Sequence, residues 1–132
     1  MSRDIYINLA VADLAASKAF FRTLGFELKP EFTDDKAACM IINGSAYVML
    51  LARPFFQTFT RRAICETATQ SETLLAIALA DRAAVDAMVH AAVAAGGAHA
   101  MPPMEHDFMY GWSFYDLDGH HWEVMAMGPG SP

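Results

Sequence analysis

The residues best suited to chemistry lie near the end of the chain, in the segment Asp116–Val124. If residues 121–127 form a strand, successive side chains alternate between its two faces. Glu123 then shares a face with His121 and Met125. A carboxylate that faces an apolar cleft has a raised pKa, which suits general acid or base catalysis. Glu123 is therefore the candidate catalytic residue.

A second group of side chains is expected to surround the same cleft. Alternation along the opening strand turns Tyr6 and Asn8 away from the helix that follows it. The segment 104–114 brings His106 and several aromatic side chains to the mouth of the cleft, with alternate residues turned away. An apolar lining with a few polar groups is typical of a small-molecule site, although ordinary core packing is the competing interpretation. The predicted ligand-binding residues are Tyr6, Asn8, His106, Phe108, Tyr110, Trp112, His121 and Met125.

Two further roles for Glu123 stay open at this point. One is a metal site in which Glu123, His121 and the loop residue His106 are the ligands. The other is a structural carboxylate that accepts a hydrogen bond from Tyr6 or Asn8. Histidines carried on loops are more often surface or hydrogen-bonding residues than metal ligands.

Two segments in different halves of the chain have similar sequences. Residues 9–16 read Leu-Ala-Val-Ala-Asp-Leu-Ala-Ala, and residues 77–84 read Ile-Ala-Leu-Ala-Asp-Arg-Ala-Ala. Each copy is an apolar strand that ends in Asp13 or Asp81, whose carboxylate can accept the free N–H groups of a helix N-terminus. A duplicated strand–helix–strands module is therefore predicted.

The two modules are expected to form a single domain over residues 1–132. Module 1 (about 4–52) has a strand at 4–11, a helix at 13–24 and strands at 26–32, 37–43 and 45–52, with a hairpin turn at Asn43-Gly44. A connection at 53–73 carries a short helix with Phe55, Phe56 and Phe59. Module 2 (about 74–127) has a strand at 74–80, a helix at 82–95 and strands at 98–101, 108–115 and 121–127. A loop containing Glu105, His106 and Asp107 follows Pro102-Pro103, Asp118-Gly119 forms a turn, and the tail is expected to fray.

Composition excludes several classes of function. The formal net charge of −6 and the lack of a basic patch argue against nucleic acid or an anionic membrane as a partner. No apolar run is long enough to cross a bilayer, and the N-terminus does not resemble a signal peptide. The two cysteines, Cys39 and Cys65, indicate reduced thiols in a cytoplasmic protein.

Two motifs resemble those of the vicinal oxygen chelate superfamily, which includes glyoxalase I, bleomycin-resistance and fosfomycin-resistance proteins and extradiol dioxygenases. Val11–Phe26 resembles its opening strand–helix motif, and Asp116–Val124 resembles its closing hairpin. Phe108–Asp116 resembles a branch labelled as glyoxalase-like or predicted lactoylglutathione lyase. The resemblance implies an α+β fold in which two tandem βαβββ modules form an incomplete, cup-shaped mixed barrel.

The resemblance also implies four positions for metal ligands, normally His or Glu. They fall on Tyr6, on Leu74 or Leu75, within Val48–Leu50, and on Glu123. Because only Glu123 is a suitable donor, no metal and no other cofactor is expected.

The predicted function is metal-free binding of a small, largely apolar or aromatic molecule, as in the bleomycin-resistance members. The alternative is a lactoylglutathione lyase-like lyase or isomerase, or a dioxygenase-related enzyme, that acts on an α-oxo or vicinal-dioxygen substrate with Glu123 as base or ligand. The 55% hydrophobic composition also favours a homodimer with an apolar interface.

Overall fold

The structure, a computed structural model, describes residues 3–128. The chain divides into two compact units, one that ends at Ile64 and one that begins at Cys65. Each unit has its own mixed sheet, and neither sheet closes into a barrel within the described residues. The predicted α+β class is confirmed. The tail that was expected to fray lies, from residue 129 onward, outside the described residues.

The first unit is built on a sheet of four strands in the order β1-β4-β3-β2. Strand β1 pairs in parallel with β4, which is antiparallel to β3, and β3 pairs with the short β2. Helix α1 packs against β4 and β3. The bounds are β1 Ile5–Val11, α1 Leu14–Thr23, β2 Glu27–Leu28, β3 Ala37–Asn43 and β4 Ala46–Ala52.

The second unit repeats this plan with one additional strand. Strand β5 pairs in parallel with β9, β9 is antiparallel to β8, and β8 also pairs with β6 and β7. Helix α3 covers one face of β8 and β9, where Phe114, Trp122 and Val124 are buried with Val85 and Val89 of the helix. The bounds are β5 Leu74–Ala78, α3 Arg82–Ala94, β6 Ala98–His99, β7 Met104–His106, β8 Met109–Tyr115 and β9 His121–Met127.

Both main helices begin as the repeated Asp predicts. The Asp13 carboxylate accepts a hydrogen bond from the Ala16 backbone N–H at 3.0 Å, and the Asp81 carboxylate accepts one from Ala84 at 2.8 Å. Because each cap lies within three residues of the end of a strand, it fixes the point at which the chain leaves the sheet and turns back over it.

Two predictions for the first unit are wrong in detail. The predicted strand at 26–32 stops at Leu28, and residues Pro30–Phe32 form a 3-10 helix. Proline has no N–H to donate to a sheet, so the pairing cannot continue through it. The hairpin turn lies at 44–45 instead of Asn43-Gly44, because the Asn43 side chain accepts hydrogen bonds from the backbone of Ser45 and Ala46, both at 3.0 Å.

The connection contains the short helix that was expected, α2 at Arg53–Gln57. Phe55 and Phe56 lie within it. Phe59 lies beyond its end, and its ring meets the ring of Phe55 edge to face at 5.1 Å between centroids.

A third correction concerns residues 104–106, which do not lie in a loop. Residues 104–106 form the edge strand β7, and a two-residue turn at Asp107-Phe108 returns the chain into β8. The two prolines at 102–103 do interrupt the chain, but strand pairing resumes directly after them.

The turn between β8 and β9 is organised by Asp116, which is only 5% exposed. Its Oδ1 accepts the backbone N–H groups of Asp118 and His120, both at 3.0 Å, and its Oδ2 accepts the indole N–H of Trp122 at 2.9 Å. Burial raises the pKa of Asp116, while His120 and the hydrogen bond from Trp122 act in the opposite direction. The Asp116 carboxylate therefore organises the turn and also holds the core indole in place.

Gly119→Ala is expected to lower the free energy of unfolding by at least about 2 kcal/mol. Gly119 has φ +85°, and an added Cβ would lie 2.4 Å from the Thr67 carbonyl oxygen. Gly44→Ala is the matched control, because an added Cβ there meets no atom within 4 Å. Urea denaturation measures both. Equal stabilities for the two variants would contradict the prediction.

Candidate functional site

Glu123 lies on the face of β9 that points away from α3. Its neighbours across the sheet are Ala76 on β5 and Ser113 on β8. Its side chain is 38% exposed, so the carboxylate is partly buried and still reaches solvent. By register, His121 and Met125 share this face.

His121 is a polar neighbour of Glu123 on this face. Its Nε2 lies 3.4 Å from the Glu123 carboxylate, yet the geometry does not form a hydrogen bond, and this buried nitrogen has no other hydrogen-bond partner. The His121 ring also meets Tyr115 edge to face at 5.5 Å. The imidazole thus lies beside the Glu123 carboxylate and does not occupy the hydrogen-bond acceptor sites of that carboxylate.

A cavity of about 140 Å³ opens beside Glu123. Gly111 contributes no side chain to its floor, and Ser113 is fixed at its side by accepting the Met101 backbone N–H at 2.9 Å. Four of its ten lining residues are methionines. The lining residues are Met101, Pro102, Met104, Met109, Gly111, Trp112, Ser113, Glu123, Val124 and Met125.

The expectation that Tyr110 shares a face with Glu123 is wrong. Because Ser113 lies opposite Glu123, alternation along β8 turns Tyr110 toward α3. The Tyr110 hydroxyl donates a hydrogen bond of 2.6 Å to Asp86 on that helix. This bond and burial raise the pKa of Tyr110, so the phenol stays protonated.

Trp112 also packs toward α3, although it borders the Glu123 cavity. Its indole lies between two imidazoles, edge to face with His90 at 5.3 Å and stacked on His99 at 5.4 Å. The Trp112 ring therefore packs against side chains of its own unit.

A second cavity, of about 420 Å³, lies on the other side of the β7–β8 hairpin and contains three of the predicted ligand-binding residues: His106, Phe108 and Tyr110. Arg82 stacks over the Tyr110 ring at 4.1 Å and forms an ion pair with Glu105 at 2.9 Å. The hydrogen bond with Glu105 raises the pKa of Arg82. The remaining lining is apolar or acidic: Ala80, Asp81, Asp107, Met109, Ala126, Met127 and Gly128.

Arg82 and Asp86 are site residues that the sequence interpretation missed. They stand four residues apart on α3, a spacing that places two side chains on the same helix face. That spacing, directly after the helix cap, is the signal that could have identified them. Together they hold Tyr110 from two sides.

Tyr6 and Asn8 belong to the first unit. The Tyr6 ring stacks on Tyr47 at 4.8 Å with an interplanar angle of 11°, and it is 47% exposed. The Asn8 side chain donates to the Tyr6 carbonyl at 3.2 Å. The stack presents an aromatic surface, and Lys29 adds a positive charge 5.3 Å from the Tyr47 ring.

The residues at the four ligand positions that the resemblance implies do not form a donor set for a divalent metal. At the four ligand positions only Glu123 carries a suitable group. The replacement site with His106, His121 and Glu123 does not form, since no group of three or more His, Cys, Asp or Glu among residues 3–128 could hold a metal ion. The His106 ring nitrogen instead lies 3.2 Å from the Met104 sulfur.

Comparison with known proteins agrees with the sequence resemblance. Residues 3–43 match the family described as bleomycin resistance protein-like N-terminal. A hypothetical protein from S. aureus superposes with a TM-score of 0.81 at 28% identity, covering 96% of this chain and 95% of that one. No curated protein matches the sequence.

Two further solved structures extend the comparison. A glyoxalase/bleomycin resistance protein/dioxygenase family enzyme from Burkholderia phytofirmans gives a TM-score of 0.77 at 19% identity, covering 96% of this chain and 99% of that one. The fosfomycin resistance protein from Mesorhizobium loti gives 0.67 at 15% identity, covering 98% and 95%.

These matches show the fold of the chain. The chain has the fold of the glyoxalase/bleomycin resistance/dioxygenase superfamily, also called vicinal oxygen chelate, and the predicted resemblance is confirmed. No helix of residues 3–128 has both the length and the apolar character needed to span a membrane.

Proposed function

We propose that this chain is a cytoplasmic, bleomycin-resistance-like protein that binds a small, largely apolar or aromatic molecule without a divalent metal. The observation that carries the proposal is the second cavity. Its volume of about 420 Å³ falls within the range of about 300–1,000 Å³ that is usual for ligand sites. Phe108 and Met127 line it and are 47% and 51% exposed, so they offer apolar surface to a ligand.

The charges around this cavity favour a cationic group on the ligand. Three carboxylates line it, Asp81, Glu105 and Asp107, against one guanidinium, Arg82. Arg82 is already paired with Glu105, which leaves two carboxylates without a cationic partner among the lining residues other than His106. A positive ligand group would also gain from the exposed Phe108 ring, whereas Arg82 already covers the Tyr110 ring.

Tryptamine and indole-3-propionate are matched probes, because they share an aromatic ring and carry opposite charges. Tryptamine is expected to bind at least about tenfold more tightly, a difference of about 1.4 kcal/mol. Phe108→Ala should weaken tryptamine binding by a similar factor, while Phe59→Ala, which removes a 68% exposed ring in the other unit, should not. Calorimetric titration measures the binding of both probes to the parent chain and of tryptamine to both variants. Equal binding of the two probes contradicts the charge argument, and equal binding by the two variants contradicts the site.

A second candidate function is the glyoxalase-like lyase or isomerase, and the Glu123–His121 pair favours it. The Glu123 carboxylate borders a cavity and keeps its lone pairs available. In this reaction Glu123 would remove the proton from the carbon α to a substrate carbonyl and return it to the former carbonyl carbon, while the hydroxyl proton of the α carbon moves to the former carbonyl oxygen. His121 would hold the carboxylate in place through their 3.4 Å contact.

The enzyme alternative is tested with the hemithioacetal of an α-oxo aldehyde and glutathione in the presence of a chelator. If Glu123 is the base, Glu123→Gln should lower kcat at least about 100-fold without a change in thermal stability. Glu72→Gln, an exposed carboxylate of the same unit, is the control. Absence of turnover by the parent chain, or equal turnover by Glu123→Gln, rules out this alternative and leaves the binding function.

The homodimer is also part of the proposal. The opening strands β1 and β5 each lie at the edge of a sheet and carry exposed apolar side chains, Ile5 at 53% and Leu74 at 57%. Apolar edge strands tend to associate with another chain. Light scattering at micromolar concentration is expected to give twice the mass of 14.4 kDa, and a monomer mass would contradict it.

A further inference from the structure

We propose that the methionine-rich face of the β7–β8–β9 sheet binds a soft monovalent cation, of which Cu(I) is the physiological example. The methionine-rich face consists of His106 and four methionines: Met104, Met109, Met125 and Met127. The starting point is the contact between the His106 Nε2 and the Met104 sulfur, which lie 3.2 Å apart.

That separation fits two ligands of one ion. Bonds from an ion to imidazole nitrogen and to sulfur are about 2.0 and 2.3 Å long, as zinc sites illustrate. Two such bonds with their donor atoms 3.2 Å apart enclose roughly a right angle at the ion. Imidazole and thioether can therefore coordinate together without a rearrangement of β7.

The strand register supplies further donors. His106 lies opposite Met109, and Met109 lies opposite Met127, so these three side chains form one row across the sheet. Met104 and Met125 form the adjacent row on either side of Gly111. Because Gly111 has no side chain, nothing stands between the two thioethers, and both border the cavity of about 140 Å³.

The chemistry of this face selects the kind of ion. Thioethers are neutral, polarisable donors that favour Cu(I) over harder ions such as Mg²⁺ or Mn²⁺. The same cavity has a single carboxylate, Glu123, which can balance one positive charge. Residues 3–128 contain no cluster of three His, Cys, Asp or Glu that would attract a divalent ion instead.

Titration with Ag(I), a redox-inert substitute for Cu(I), tests the site. The full chain carrying Cys65→Ser is used, because Cys65 is the half-buried thiol and Cys39 is fully buried. With methyl-labelled methionine, NMR shifts are expected at Met104, Met109, Met125 and Met127 and not at Met49 or Met88. Equal shifts at all described methionines, or none, would overturn the proposal.

Substitution by leucine separates the thioether from its apolar bulk. Met104→Leu and His106→Gln should each weaken Ag(I) binding at least tenfold, whereas Met88→Leu on α3 should not. Met104 is 50% exposed and His106 is exposed, so both variants should fold, which the dispersion of their NMR spectra verifies. Tryptamine binding should persist in Met104→Leu, so a failure here is distinguishable from a failure of the proposed function. Unchanged Ag(I) affinity in either variant would overturn the site.

Discussion

The antiparallel register between β8 and β9 determines which side chains reach each cavity. Phe114 lies opposite Trp122 and Ser113 lies opposite Glu123. A slip of one residue would exchange the faces, moving a carboxylate against α3 and two large aromatic rings into solvent. The register is held at both ends, by Asp116, whose N–H donates to the His120 carbonyl at 3.1 Å, and by Gly128, whose N–H donates to the Phe108 carbonyl at 2.8 Å. Asp116 therefore contributes to the site by fixing the strand register, without touching the site itself.

Local signals in the sequence were sufficient for most of the fold. The Asp caps, both main helices and the longer strands were predictable, because capping, periodicity and turn residues act within a few positions of one another. The faces of the β7–β8 hairpin were not. Alternation counted through 104–114 puts His106 and Tyr110 on one face, but the two-residue turn at Asp107-Phe108 resets the count. His106 consequently lies opposite Met109, and Tyr110 lies on the helix side.

The same hairpin explains why the fold alone leaves the chemistry open. Of the ligand positions that the resemblance implies, only Glu123 carries a suitable donor, while thioethers and aromatic rings line the two cavities beside the β7–β8 hairpin. Function belongs to such surfaces and is not fixed by the architecture that carries them. Met109 borders both cavities, and an unbranched, polarisable side chain can adjust its shape to either occupant.

Both tryptophans of the chain lie in the second unit, and their surroundings differ. Trp122 is buried and hydrogen-bonded to Asp116, whereas Trp112 lies between His90 and His99. Protonated imidazole quenches indole emission, so the fluorescence of Trp112 should report the charge of its two neighbours, while that of Trp122 reports the integrity of the core. The first unit has only the stacked pair Tyr6 and Tyr47 as intrinsic fluorophores of its own. When denaturation is monitored by tryptophan emission, the signal reports the unfolding of the second unit directly. It reports the unfolding of the first unit only to the extent that the two units unfold together.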